Sequence, residues 1–260
     1  MKQYATSSDG TRIAFETAGM GPAVLIVLGA LNSRKSGLKL AKLLASTFTA
    51  VTYDRRGRGD SQDAASYAPQ REVEDIAAVI EAVGGPVYLY GHSSGAALAL
   101  AAALQLREQV TKLAIYEVPY ALDAAARKAA EDYYAALSEA LRAGDLGGAA
   151  SLFIRSVGVS EKQLEAIQRL PMWKGLVKLA PTLAYDSQVL GPGHAFPPDL
   201  PSRISTPTLV MHGGAGSPAM RDAAIAVYEA ISGAELRTLP GQTHGVSPKA
   251  LVPVLGKFFA

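Results

Sequence analysis

Short apolar runs rich in Val, Ile and Leu alternate along this chain with longer stretches in which apolar residues recur every three or four positions. Runs of the first kind read as strands, and stretches of the second kind as helices. Lys2–Ser7 and Thr11–Thr17 flank Asp9-Gly10, a pair that tolerates positive φ and so predicts a two-residue hairpin. Ala23–Leu28 is continuously apolar, as strands buried on both faces are. A helix over Leu38–Ser46 and a short strand at Thr49–Tyr53 follow. Val73, Ile76, Val79, Ile80 and Val83 then share one face of a helix over Glu72–Val83. Val87–Tyr90 predicts another buried strand, Ser93–Leu106 an alanine-rich helix, and Lys112–Tyr116 a further strand.

The rhythm then changes. From Pro119 to about Leu200 no strand pattern occurs, only helical segments near Ala124–Arg142, Ala149–Val157, Glu161–Leu170 and Trp173–Ala180. The alternation resumes with a strand at Thr208–Met211, a helix at Ala219–Ile231, a strand at Glu235–Leu239 and a last helix at Lys249–Phe259. Strands alternating with helices imply a mostly parallel sheet covered on both faces. The expected architecture is an α/β core of residues 1–118 and 200–260, with residues 119–199 inserted as a helical cap.

Composition sharpens this picture. The chain has 260 residues, 49% hydrophobic and 18% charged, against about 25% charged in an average soluble domain. That excludes a disordered chain and predicts a large core. Net charge is +2, from 25 basic and 23 acidic residues with no basic block, so no nucleic-acid partner is expected. Cysteine is absent and histidine occurs four times, which removes disulfides, thiolate nucleophiles and cysteine-ligated metals. No apolar run approaches the ~20 residues of a membrane span, and the N-terminus carries no apolar leader pattern. A soluble cytoplasmic protein without membrane partners is the expectation.

Gly91-His92-Ser93-Ser94-Gly95 is a G-x-S-x-G placed between a buried strand and a helix. A turn that sharp needs glycine where no Cβ fits between the crossing backbones, and it lifts the Ser93 hydroxyl over a helix N-terminus. With that placement the chain resembles the α/β-hydrolase superfamily over nearly its whole length. Asp54-Arg55-Arg56-Gly57-Arg58-Gly59-Asp60-Ser61 is similar to a loop that follows the fourth strand in many members. Its embedded Arg-Gly-Asp triplet is read as coincidence. The resemblance implies an eight-stranded sheet, Ser93 as nucleophile for acyl transfer, and no cofactor or metal. It also implies His244, before the last helix, as general base. The oxyanion hole would use the backbone N–H groups of Ser94 and of Ala30, in the loop after the third strand. Asn32 in that loop either reaches the mouth of the site or satisfies the loop's own backbone.

One part of the pattern is missing. Most members carry the triad acid just beyond the seventh strand, where this chain reads His212-Gly213-Gly214-Ala215-Gly216-Ser217-Pro218. Asp222 falls inside the following helix. Glu117, at the carboxyl end of the sixth strand, occupies a place where some members put their acid, zearalenone-type lactone hydrolases among them. The expected triad is therefore Ser93–His244–Glu117, with Asp222, the cap acids Asp123 and Asp186, or no acid as alternatives.

The cap is aromatic and weakly charged, which predicts a small, partly hydrophobic, uncharged substrate, with Tyr120, Met172 and Trp173 as candidate pocket wall beside Asn32. The expected activity is a serine hydrolase cleaving an ester or lactone. A C–C hydrolase or perhydrolase could use the same triad, and a non-catalytic ligand-binding protein could keep the same fold.

Overall fold

A computed structural model describes all 260 residues. Eight strands, β1 (Lys2–Thr6), β2 (Arg12–Ala18), β3 (Ala23–Val27), β4 (Thr49–Tyr53), β5 (Val87–His92), β6 (Val110–Tyr116), β7 (Thr208–Gly213) and β8 (Glu235–Leu239), form one sheet. Their order is β1-β2-β4-β3-β5-β6-β7-β8. β2 is antiparallel to β1 and β4, and every other pairing is parallel. From β3 the chain steps to β4 on one side and then returns to β5 on the other. Such a reversal opens a crevice at the carboxyl ends of the two strands, the usual ligand site of an open α/β sheet.

The alternation along β3 explains its unbroken apolar run. Leu25 and Val27 face a core layer built with α2 (Pro69–Ala82), α3 (Ser94–Leu106) and α9 (Pro218–Ala230). Val24 and Ile26 face the opposite layer, with α1 (Leu38–Leu44) and α10 (Pro248–Phe259). The alanine content of α3 reflects close approach to the sheet. A Cβ on Gly91 would lie 2.6 Å from Ala96 Cα, and one on Gly95 would lie 2.4 Å from the Val27 carbonyl oxygen.

Between β6 and β7 the chain is helical: α4 (Ala124–Arg142), α5 (Leu146–Ser156), α6 (Glu161–Gln168), α7 (Trp173–Leu179) and α8 (Leu183–Leu190). Side chains start three of these helices. Asp123 accepts from Ala126 N, Asp145 from Gly148 N, and Ser160 and Gln163 form a reciprocal capping box. Leu137, Ile154, Leu164 and Leu183 gather into a separate apolar cluster that includes Leu31 from the loop after β3. The insertion is thus packed onto the crevice side of the sheet. α8 departs from expectation, since the sequence pattern stops at Ala180; its Asp186 and Ser187 are polar residues at buried positions and blur the helical periodicity. No helix is long and apolar enough to cross a membrane.

Candidate active site

The turn from β5 into α3 puts Ser93 at φ 59°, ψ −131°, a strained conformation of order 1–3 kcal/mol for a side chain with a Cβ. The loop after β3 comes so close that a Cβ on Gly29 would sit 2.8 Å from Ser93 Cβ and 3.2 Å from its Oγ. Ala30 follows directly, and Ser94 opens α3. Both expected oxyanion residues are thus chain neighbours of groups at the elbow, Ala30 of Gly29 and Ser94 of Ser93.

Glu117 is the first residue beyond β6, also in left-handed backbone at φ 47°, and only 1% exposed. Its Oε2 accepts from His244 Nδ1 at 2.8 Å, and its Oε1 accepts from the Gly213 backbone N–H at 2.8 Å. Burial alone would raise its pKa, but the bonds from His244 and Gly213 outweigh burial and hold the carboxyl below its usual range. Gly216, beyond β7, makes room for this carboxylate, and Gly213, the last residue of β7, makes room for the backbone leading to His244. A Cβ on Gly216 would lie 3.0 Å from Glu117 Oε1, and one on Gly213 would lie 2.2 Å from the Gln242 carbonyl oxygen. The stretch without an acid is a cradle for an acid supplied by the neighbouring strand.

The other candidate acids are engaged elsewhere. Asp222 is exposed and pairs with Arg221, Asp123 caps α4, and Asp186 lies buried against Arg55, Arg58 and Ser94. None of the three hydrogen-bonds to His244.

Two supports of the His244 loop were not legible in the sequence. Tyr116 donates its hydroxyl to the Thr243 carbonyl at 2.6 Å. His92, between the elbow's first glycine and Ser93, donates from Nε2 to the His244 carbonyl at 2.8 Å, its ring centroid 4.8 Å from that of His244. Burial pushes the His92 imidazole down to about 4, so the ring is neutral at pH 7, and the carbonyl it faces favours the tautomer with its proton on Nε2. His212 is separate, joined to Thr238 Oγ1 at 2.9 Å.

The expected pocket wall needs correction. Asn32 turns back on its own loop, where its amide donates to the Ala30 carbonyl at 2.8 Å and reaches that of Gly29 at 3.5 Å, as a short polar side chain in a turn does. Tyr120 is buried in the core edge-on to Phe196, at 5.8 Å between centroids. Met172 stands 57% exposed where the chain enters α7, because Trp173, Leu176 and Val177 take the inward face. Trp173 packs against the insertion's apolar cluster, which reaches Leu31. The Arg-Gly-Asp triplet is not displayed, since the Arg58 side chain is only 1% exposed.

This arrangement can do acyl chemistry. It offers a hydroxyl on a strained elbow and, apart from it, an imidazole fixed by a buried carboxylate, the two kinds of group that acyl transfer through a hydroxyl nucleophile and a general base requires.

Known proteins share this fold. The chain is similar to an alpha/beta hydrolase from Sphaerobacter thermophilus DSM 20745 at 45% identity and a TM-score of 0.90, over 99% of this chain and 100% of that one. It shares 16% identity and a TM-score of 0.80 with an enol-lactonase from Burkholderia xenovorans LB400, over 99% of each chain, which is a likeness of fold alone. An uncharacterized hydrolase, YraK of Bacillus subtilis (strain 168), is 32% identical over 105 residues; the matched stretch spans 39% of this chain and only 39% of that protein's length. A family model described as "Alpha/beta hydrolase family" matches residues 26–253. By that match, and by the sheet order and elbow that accompany it, the chain belongs to the alpha/beta hydrolase family.

Proposed function

We propose that this protein is a cofactor-independent serine hydrolase that cleaves a carboxylic ester or lactone through an acyl-enzyme. The observation that carries the proposal is the 2.8 Å bond between His244 Nδ1 and Glu117 Oε2. A carboxylate on Nδ1 keeps a proton there and leaves the Nε2 lone pair free to act as base.

In the proposed cycle Ser93 Oγ attacks the substrate carbonyl carbon while its proton passes to His244 Nε2. The new oxyanion accepts from the Ser94 and Ala30 N–H groups. As the tetrahedral intermediate collapses, the carbon–oxygen bond to the leaving group breaks, and that oxygen takes the proton from Nε2. Water then attacks the acyl-enzyme by the same route, releasing the acid and returning the proton to Ser93. Throughout, Glu117 stays ionised and stabilises the imidazolium. Arg55 and Arg58 are already paired with Glu72 and Asp186, so they offer no free clamp for an anionic substrate. An uncharged, partly hydrophobic ester or lactone is the substrate class that fits.

Intact-mass labelling with a fluorophosphonate probe tests the proposal. We expect one adduct per chain, absent in Ser93→Ala and strongly slowed in Glu117→Gln and His244→Ala. A folded wild-type protein that takes no adduct would overturn it in favour of a ligand-binding role.

A further inference from the structure

The mechanism above leaves a buried charged cluster unused. The carboxylate of Asp186, on α8 of the insertion, accepts four hydrogen bonds. Ser94 Oγ donates to Oδ1 at 2.7 Å, Arg55 Nη1 to Oδ1 at 2.7 Å, and Arg58 Nη2 to Oδ1 at 2.9 Å and Oδ2 at 2.8 Å. Arg58 then reaches past Asp186 with its other arm, donating from Nη1 to the Gly29 carbonyl at 2.7 Å. Arg55 is held in turn by Glu72, at 2.6 Å from Nη2.

Each arm of this cluster ends on one half of the oxyanion site. Ser94 carries one of the two expected donors on its backbone. The other donor is the Ala30 N–H, which belongs to the same peptide unit as the Gly29 carbonyl. No peptide bond in the chain is cis, and in a trans peptide the N–H points opposite to the C=O. Drawing the Gly29 carbonyl toward the buried Arg58 therefore turns the Ala30 N–H the other way, toward the Ser93 side. The next carbonyl, of Ala30, accepts from Asn32 Nδ2 at 2.8 Å, and the same nitrogen reaches the Gly29 carbonyl only at 3.5 Å, so Arg58 is the closer of the two donors to Gly29 and Asn32 restrains the following peptide. Gly29 itself, with no Cβ, is the residue of this loop most free to rotate.

We propose that Arg58 and Asp186 are positioning residues for the oxyanion hole, with Asp186 holding the Ser94 donor and, through Arg58, aiming the Ala30 donor. The inference rests on the serine-hydrolase proposal for what the hole stabilises, but the peptide orientation it assigns stands without it. A helix of the insertion thus sets the geometry of an anion site built from the core.

The test uses Arg58→Met, which leaves the Gly29 carbonyl only its 3.5 Å contact with Asn32 Nδ2 while Asp186 keeps Arg55 and Ser94, and Ser94→Ala, which removes the hydroxyl but keeps the backbone N–H. With an activated ester, both variants should lose about tenfold to a hundredfold in kcat, less than the ~10²–10³ for deleting a donor outright, with KM within about threefold. Affinity for a trifluoromethyl ketone, whose tetrahedral adduct carries the oxyanion, should fall in the same proportion as kcat/KM. Arg58→Lys gives Asp186 its counter-charge but has no second planar arm; it should regain stability without regaining kcat, which a merely structural cation would not do. In crystals of Arg58→Met the Gly29–Ala30 peptide should be turned. Wild-type kcat and ketone affinity in folded variants would overturn the proposal, as would an unturned peptide. A wild-type protein with no Ser93-dependent hydrolysis would instead defeat the serine-hydrolase proposal, and the crystal of Arg58→Met would still decide this one. Should that variant not fold, Ser94→Ala and Arg58→Lys carry the same readouts.

Discussion

Glu117 meets three demands that few residues could meet together: left-handed backbone, near-complete burial and a hydrogen bond on each carboxylate oxygen. Replacing it by Gln keeps the shape and an acceptor for the Gly213 N–H, but sets an amide NH₂ against His244 Nδ1. The ring is then favoured with its proton on Nε2, where it cannot accept from Ser93. Glu117→Gln should therefore lower kcat by about 10³–10⁴-fold, while its melting temperature stays close to wild type; steady-state kinetics and a thermal melt check both. Gly213 shows the complementary constraint. In Gly213→Ala the Cβ meets backbone at the Gln242 carbonyl and the Tyr116 hydroxyl, so the His244 loop must shift. We expect a loss of about 1–3 kcal/mol in urea unfolding, together with lower kcat. The sequence made Glu117 legible only indirectly, through the missing acid after β7. Its glycine cradle could not be seen in advance, because the reason for each glycine is an atom far away in the chain.

At the scale of elements, the strands and most helices were legible because their apolar spacing states which faces are buried. β3 and α2 are examples, one apolar throughout and the other along a single stripe. α8 was not, because its inward face carries Asp186, and the partners that make a buried carboxylate tolerable are Arg55 and Arg58 on a loop more than a hundred residues earlier. Burial alone would raise the Asp186 pKa, but the two guanidinium groups and the Ser94 hydroxyl reverse this and hold it below the usual range. Removing that charge strands the buried Arg58, while Arg55 keeps Glu72. Asp186→Ala should cost about 3–5 kcal/mol in urea unfolding, as breaking buried ion pairs does. Asp132→Ala, which removes the solvent-exposed i, i+4 partner of Lys128 on α4, should change stability by less than about 1 kcal/mol. Equal effects would mean that the cluster does not anchor α8.

Across the whole molecule the order of strands and helices, with the helical insertion between β6 and β7, follows from the run of the chain, whereas the links that close the site cross it. His92 and His244 are joined over 152 positions, and no local pattern announces such a bond. The enclosure of the His92 ring also makes the stability of the fold answer to one proton. His92 has a folded pKa of about 4 against 6.5 for the unperturbed side chain. Between those values the unfolded chain takes up a proton at His92 that the folded chain refuses, so stability rises with pH across that window and is fully present above about 6.5. The direction is opposite to that of a histidine gaining a carboxylate partner, because enclosure of the ring, and not an ion pair, dominates here. His194, also lowered by burial, titrates with the same sign and adds a background. His92→Gln isolates the first term, since the amide Nε2 lies near the imidazole Nε2 and can donate to the His244 carbonyl without titrating. In urea unfolding at several pH values between 7.5 and 4.5, the wild type should lose on the order of 2 kcal/mol more than His92→Gln, because the unfolded variant has no proton to gain at that position. Parallel curves for the two proteins would mean that the His92 ring takes its proton as freely in the fold as in water.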